Sequence, residues 1–376
     1  MKIEKKESRL LLIGPFPPPV GGVAEIFKIL AEGGLANHFD LHKINIAFRK
    51  QSDLTKGSFT FRRAFIALLH CLWLVWCMIS FRPNVVYLSF SPTRWAGLRD
   101  ALFVAITYKM GARVVIRLDN NLLHEFFMNS SPRVKRRIGK TFERASSVHV
   151  QSEIIRRNLR DLVPDEKIRI IRVGINTDFI NSIRLEREKN FSSNKILYMG
   201  WMILGKGVID IIDAFDLIAG DFPKSELVLA GPWIKKTDKR VIESRLDLSP
   251  FRNRITVTGA IYGKERIKAL SEAFVIVTMS VLKEGQPIIL TEALGIGVPI
   301  ISSNYGSLST VLKHGSGCFF VPEHGSAEMA NYLKMLFQDN VLYQNMCNHN
   351  LKLFNDHFTH HTFVDLITQD FLRVLQ

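Results

Sequence analysis

From position 284 to 301 the chain reads EGQPIILTEALGIGVPII, with two carboxylates, Glu284 and Glu292, set among Gly, Pro and aliphatic residues. Carboxylates are rarely buried without a partner, so this pattern asks what the two acids hold. Gly285 and Pro287 predict a tight loop carrying Glu284. LTEALGIG predicts a short helix ended by Gly295 or Gly297. Glu292 then sits inside that helix, on a face otherwise made of Ile and Leu, and needs hydroxyl or N–H partners. A ribose diol is one such match; a solvated helix glutamate is the alternative.

Two more glycine turns follow predicted strands. In MGWMILGKGVIDIIDAF, Lys206 stands between Gly205 and Gly207 at a strand-to-helix junction, where an ammonium beside exposed amides suits a diphosphate. A solvated lysine in a glycine turn fits the same residues. In GPFPPPVGGVAEIF, Gly21 and Gly22 open a helix whose first N–H groups can approach a phosphate. Neither turn is a GxGxxG fingerprint or a Walker loop, which disfavours a nicotinamide enzyme or a P-loop ATPase.

These turns need strands and helices to hold them. Apolar runs alternate with helical ones: RLLLIG, NVVYLSF, ARVVIRL, SSVHVQS and IRIIRV, then KILYMG, SELVLAG, RITVTG, AFVIVTM, VPIISS and CFFVP. Continuous apolar strands separated by helices indicate parallel sheets covered on both faces. Two such series predict two doubly wound α/β domains facing across a cleft, the first over 1–180 and the second over 181–355. A last helix, 356–376, is placed to return to the first domain. The polar stretch 176–195 reads as the linker.

The 376 residues are 47% hydrophobic and 23% charged, a globular profile. Residues 1–190 hold 32 Lys and Arg against 17 Asp and Glu, so they carry the whole formal charge of +15. Such a half prefers polyanions, anionic lipid surfaces or phosphorylated substrates. The four cysteines show no metal or CxxC spacing and read as reduced core residues. The short LLLIG run, broken by prolines, predicts no secretory leader. Segment 64–80 is too short to span a bilayer. It reads either as a buried helix or as one lying in a membrane interface with Trp73 and Trp76 at the headgroup level.

With those residues in place, the whole chain resembles the GT-B retaining glycosyltransferases of family 4. EGQPIILTEALGIGVPII resembles that family's two-glutamate signature, MGWMILGKGV its phosphate-binding lysine turn, and PFPPPVGGVA its first glycine loop. The resemblance implies roles. Gly21 and Gly22 abut the donor's phosphate and sugar, Lys206 neutralises the diphosphate, Glu284 binds sugar hydroxyls and Glu292 binds the ribose. The amides of Gln286, Ile288 and Ile289 contact phosphate. Asp119, where the family commonly has histidine, orients the acceptor hydroxyl or takes its proton, with His124 as a substitute. Trp201 departs from the arginine often found at its position.

The expected activity is transfer of a hexosyl group, with retention, from a UDP- or GDP-sugar to a glycan or lipid-linked acceptor in bacterial surface polysaccharide synthesis. The donor is a substrate; no cofactor, metal site or nucleic-acid partner is expected. The basic run RVKRRIGKTFER (133–144) suggests peripheral contact with an anionic membrane from the cytoplasmic side, and it also fits a solvated helix. A nucleotide-sugar epimerase of the same fold and a catalytically silent nucleotide-sugar binder are the alternatives.

Overall fold

The computed structural model describes residues 8–18, 22–47, 61–191, 194–282, 285–304 and 307–376. Two compact units emerge, Met1–Gly174 with His360–Gln376, and Ile175–Thr359. Each contains a six-stranded sheet in which every strand pair is parallel.

The first sheet comprises β1 (Arg9–Gly14), β2 (Asp40–Asn45), β3 (Val85–Ser89), β4 (Arg113–Leu118), β5 (Ser147–Val150) and β6 (Ile168–Ile170), in the order β2-β1-β3-β4-β5-β6. Parallel neighbours require crossover connections, and the crossover helices cover both faces of the sheet. That is why all five residues of β3, VVYLS, are buried instead of alternating. The two-residue side-chain period still sorts the strands by face. Leu11, Ile13, Val86, Leu88, Val114 and Ile116 pack under one layer, with Leu74, Phe103 and Phe142 of the covering helices. Leu10, Leu12, Val85, Tyr87 and Val115 pack under the other, with Phe27 of the Gly22–Glu32 helix.

The final helix, His360–Leu375, completes that second layer with Phe363, Ile367 and Phe371, all fully buried. At about 1.5–3 kcal/mol for each such side chain, the sheet face needs this helix. A polar clasp adds direction: His149 Nε2 of β5 lies 2.7 Å from Asp370 Oδ2. Burial keeps the His149 imidazole below its ordinary pKa and hence neutral. Burial alone would raise Asp370, but hydrogen bonds from His149 and Arg373 outweigh it and hold the carboxyl well below its usual range.

The second sheet comprises β7 (Lys195–Met199), β8 (Glu226–Ala230), β9 (Ile255–Gly259), β10 (Ala273–Thr278), β11 (Ile300–Ser303) and β12 (Cys318–Val321), in the order β12-β11-β10-β7-β8-β9. Counted from β7, this is the dinucleotide-fold order 3-2-1-4-5-6.

Two expectations change. Most of stretch 176–195 is a helix, Thr177–Asn190, whose N-terminus Asn176 caps by accepting from the Asp178 and Phe179 N–H groups. Ile180 and Ile183 bury fully, and Arg184 and Arg187 reach the Gly295 and Ala273 carbonyls. Segment 64–80 belongs to the Phe61–Ser80 helix, which is covered on one face only. Leu74, Cys77 and Met78 are buried, whereas Trp73 and Trp76 are 45% and 61% exposed. None of the described helices is long and apolar enough to cross a membrane.

Removing the clasp should loosen the first unit. Asp370→Ala is expected to lower its stability in urea by about 1–3 kcal/mol, because it strips the acceptor from a buried imidazole N–H. The exposed neighbour change Asp365→Ala should shift it by under about 0.5 kcal/mol. Equal effects from the two would show that the clasp contributes nothing.

Candidate active site

In open parallel sheets a ligand crevice forms at the carboxyl ends of the strands where the strand order reverses. In the second sheet that point lies between β7 and β10, and the loops leaving these two strands carry Lys206 and the 284–289 stretch.

After β7 the chain makes a 3-10 turn, Leu204–Lys206, and Gly207 then opens the Val208–Ala219 helix. Gly207 has φ 66°, and a Cβ there would sit 2.3 Å from the Met279 carbonyl oxygen. Only glycine allows the turn to press so closely on the loop leaving β10. The Val281 N–H donates to the Gly205 carbonyl at 3.1 Å, which ties the two loops together. Lys206 is largely buried, and desolvation lowers its ammonium from the ordinary 10.5 to about 8.

Around Lys206 the switch point is lined by hydroxyls. Thr278 Oγ1 and Ser302 Oγ lie 2.9 Å apart, and Ser303 Oγ donates to the Ser280 carbonyl at 2.6 Å. These groups and Lys206 border a narrow cavity of about 30 Å³, wide enough for one water. Pro287, Ile289 and Leu290 close its other side. They begin the Ile288–Gly295 helix, and the N–H groups of Ile288 and Ile289 open its first turn, where any helix lacks internal acceptors. Gln286 Nε2 donates to Thr291 Oγ1 at 2.9 Å and steadies the entry to that helix.

Glu292, on the same helix, is only 2% exposed. Arg266 Nη2 lies 2.7 Å from each of its carboxylate oxygens. The carboxylate that the sequence offers to a ribose is therefore held by the Gly263–Ser271 helix. Nothing in GKERIKALS marks Arg266 for this pairing; the only signal is that a glutamate among aliphatics needs a donor.

In the first unit, Asp119 follows β4 and is bound on three sides. Its Oδ1 accepts from Arg117 Nε at 2.6 Å and from Gln151 Nε2 at 3.1 Å, and its Oδ2 accepts from Ser89 Oγ at 2.9 Å. Arg117 itself has no exposed side-chain surface. Its Nη1 reaches the hydroxyl of Tyr87, whose pKa burial pushes up to about 12. A carboxylate so committed fastens β3, β4 and the end of β5 together. It can orient a hydroxyl through a remaining lone pair, whereas taking a proton would weaken its pairing with Arg117. His124 is exposed, with Nδ1 3.1 Å from the Asn158 carbonyl oxygen. Gly22 begins the helix after β1. Gly21 and Glu284 lie outside the described residues. Lys206, Gln286, Ile288, Ile289 and Glu292 thus belong to the second unit's switch point and the helix beside it, and Gly22 and Asp119 to the first unit.

Two doubly wound units of this kind define the GT-B fold, and solved structures agree. Anabaena Alr3699/HepE in complex with UDP superposes with a TM-score of 0.75 at 14% identity, over 97% of this chain and 100% of that one. A glycosyltransferase from Rickettsia africae gives 0.78 at 13% identity, over 98% and 99%. Sucrose-phosphate synthase from Thermosynechococcus elongatus gives 0.74 at 15%, over 97% and 99%. Residues 180–352 match the family described as "Glycosyl transferases group 1". The match spans almost all of the second unit. An uncharacterized glycosyltransferase of Methanocaldococcus jannaschii is 28% identical over 161 residues, 40% of this chain and 40% of that protein.

Arg266→Ala should destabilise the second unit by about 1–3 kcal/mol, because it strips a donor from a buried carboxylate. Adding Glu292→Gln should recover most of that loss. A denaturant double-mutant cycle reads the coupling, and strictly additive losses would deny it.

Proposed function

We propose that the protein transfers a sugar, with retention of configuration, from a UDP- or GDP-sugar to a glycan or lipid-linked acceptor. We place it in bacterial surface polysaccharide synthesis, working peripherally on the inner face of the plasma membrane. One observation carries the reading: Lys206, a desolvated cation, stands at the switch point of the unit that matches the group 1 glycosyltransferase family. The fold neighbour solved with UDP, and again with UDP-glucose, supports a nucleotide-sugar donor.

Transfer breaks the bond between the anomeric carbon and the leaving phosphate oxygen, and the electron pair stays on the diphosphate. Groups that meet this growing charge lower the barrier more than they aid ground-state binding. Lys206 would supply the charge, and the amides of Ile288 and Ile289 the hydrogen bonds, without need of a divalent ion. The acceptor oxygen attacks the same sugar face and passes its proton to the departing phosphate oxygen. Glu284 would hold donor-sugar hydroxyls, Gly21 and Gly22 would leave room for the sugar and its phosphate, and Asp119 would orient the acceptor hydroxyl. Glu292 would meet the ribose, sharing its carboxylate with Arg266 or releasing it.

The pKa of Lys206 gives this reading a sign. Its folded value, about 8, lies below the ordinary 10.5. The unfolded chain therefore binds more protons between these limits, and this group's contribution to stability rises with pH across that window. Below pH 8 the free protein carries the full desolvation cost, on the order of 3 kcal/mol. A bound diphosphate favours the ammonium, so UDP binding near pH 8 should take up a proton. Calorimetry in buffers of different ionisation enthalpy reads this uptake, and Lys206→Met should abolish it. The same variant should lose about 100-fold or more in turnover while melting no lower than wild type at pH 7. Proton uptake that persists in the variant would remove Lys206 from the diphosphate site. NMR of the product's anomeric centre tests retention, which inversion would refute.

A further inference from the structure

The Phe61–Ser80 helix is apolar all round, but the fold covers only half of it. Phe65, Leu68, Leu72, Trp73, Trp76 and Ile79 are 45% to 61% exposed, and their spacing puts them along one face. Core packing does not account for a stripe of this length. At the C-terminal end of the stripe, Ile79 also borders a cavity of about 510 Å³ shared with Met78, Arg82, Asn84, Met110 and Arg113. Arg82 stands just past the helix end with φ 51°, a backbone state ordinarily left to glycine. An arginine kept there at a conformational cost points to use of its side chain.

The charge around this face has one sign. Residues 61–118 contain eight Lys and Arg and a single acid, Asp100. Asp100 is fully buried and paired with Arg99 at 2.8 Å, whereas Arg82, Arg94, Lys109 and Arg113 are exposed. A second copy of the chain docked here would bring these cations against their own duplicates. An anionic lipid surface offers both the apolar depth and the opposite charge.

We propose that this face docks on an anionic bilayer, with the exposed stripe lying in the interface and the Arg82–Arg113 cavity receiving a lipid phosphate. The proposal rests on the peripheral placement given above and names the surface responsible, which is built from residues other than the basic run 133–144. The helix lies in the interfacial plane, Trp73 and Trp76 reach the acyl boundary, and the two arginines stay at headgroup depth.

Flotation of the whole chain with vesicles of phosphatidylcholine, with or without phosphatidylglycerol, tests this. Wild type should float with the anionic vesicles, and their binding should blue-shift tryptophan emission. Trp73→Glu with Trp76→Glu should weaken flotation by about tenfold or more, with circular dichroism and the UDP-induced melting shift unchanged. Arg82→Glu with Arg113→Glu should remove the preference for phosphatidylglycerol; an undiminished preference would overturn the cavity's role. If the tryptophan variant floats like wild type while Arg136→Glu with Arg137→Glu abolishes flotation, the peripheral placement survives and this surface is wrong. If wild type itself does not float, both fall. A dimer in solution that the tryptophan substitutions dissociate would overturn the proposal in favour of self-association.

Discussion

A charge held away from water at the carboxyl ends of parallel strands is the constraint on which both units turn, and each resolves it differently. In the first unit Arg117 is fully buried; burial works against its charge, but Tyr87 and Asp119 outweigh that and hold the guanidinium above its ordinary pKa. In the second, burial prevails at Lys206 and the ammonium falls to about 8. The first arrangement is internally compensated, so an added anion would compete with Asp119. This difference, on the order of kilocalories per mole, separates a buried cation held by Tyr87 and Asp119 from one whose charge is disfavoured mainly by burial.

How the Lys206 turn keeps its place follows from backbone constraints. Gly207 admits no Cβ against Met279, and the Gly205 carbonyl is bound by Val281, so the loops after β7 and β10 are packed and hydrogen-bonded to each other. A lysine on a long flexible stem loses much rotamer freedom when fixed. Burying that stem as the chain folds commits part of this entropy before any ligand binds.

Much of this was legible in the sequence, for a physical reason. Strands buried on both faces read as unbroken apolar runs, and glycine turns at their ends mark where the backbone comes close to something. Both sheets and the place of Lys206 follow from that pattern. Pairings made by topology alone were not legible. Arg266 and Glu292 are 26 positions apart on different helices, and Arg266 sits in a segment that looks solvated. Thr278, Ser280, Ser302 and Ser303 converge only because β10 and β11 are neighbours. The Thr177–Asn190 helix looked like a linker because its buried stripe is little more than Ile180 and Ile183 among charges. An all-apolar helix such as Phe61–Ser80 gives no periodic signal to separate a covered face from a bare one.

The unequal distribution of charge then takes on a structural meaning. The first unit holds 30 Lys and Arg against 16 Asp and Glu, which leaves the second nearly neutral. In the Pro132–Glu143 helix, Arg133, Arg136, Arg137 and Lys140 are exposed, while Ile138 and Phe142 anchor the opposite face in the core. A cationic face of this kind attracts an anionic surface over about a Debye length, roughly 8 Å at physiological salt, but it has no apolar surface to insert. The Phe61–Ser80 helix has the reverse character: its stripe acts only on contact and is far less sensitive to salt. Long-range attraction would set how often the chain meets a charged surface, and apolar burial how long it stays. A protein carrying both on one unit can keep its nearly neutral second unit free of non-specific polyanion binding.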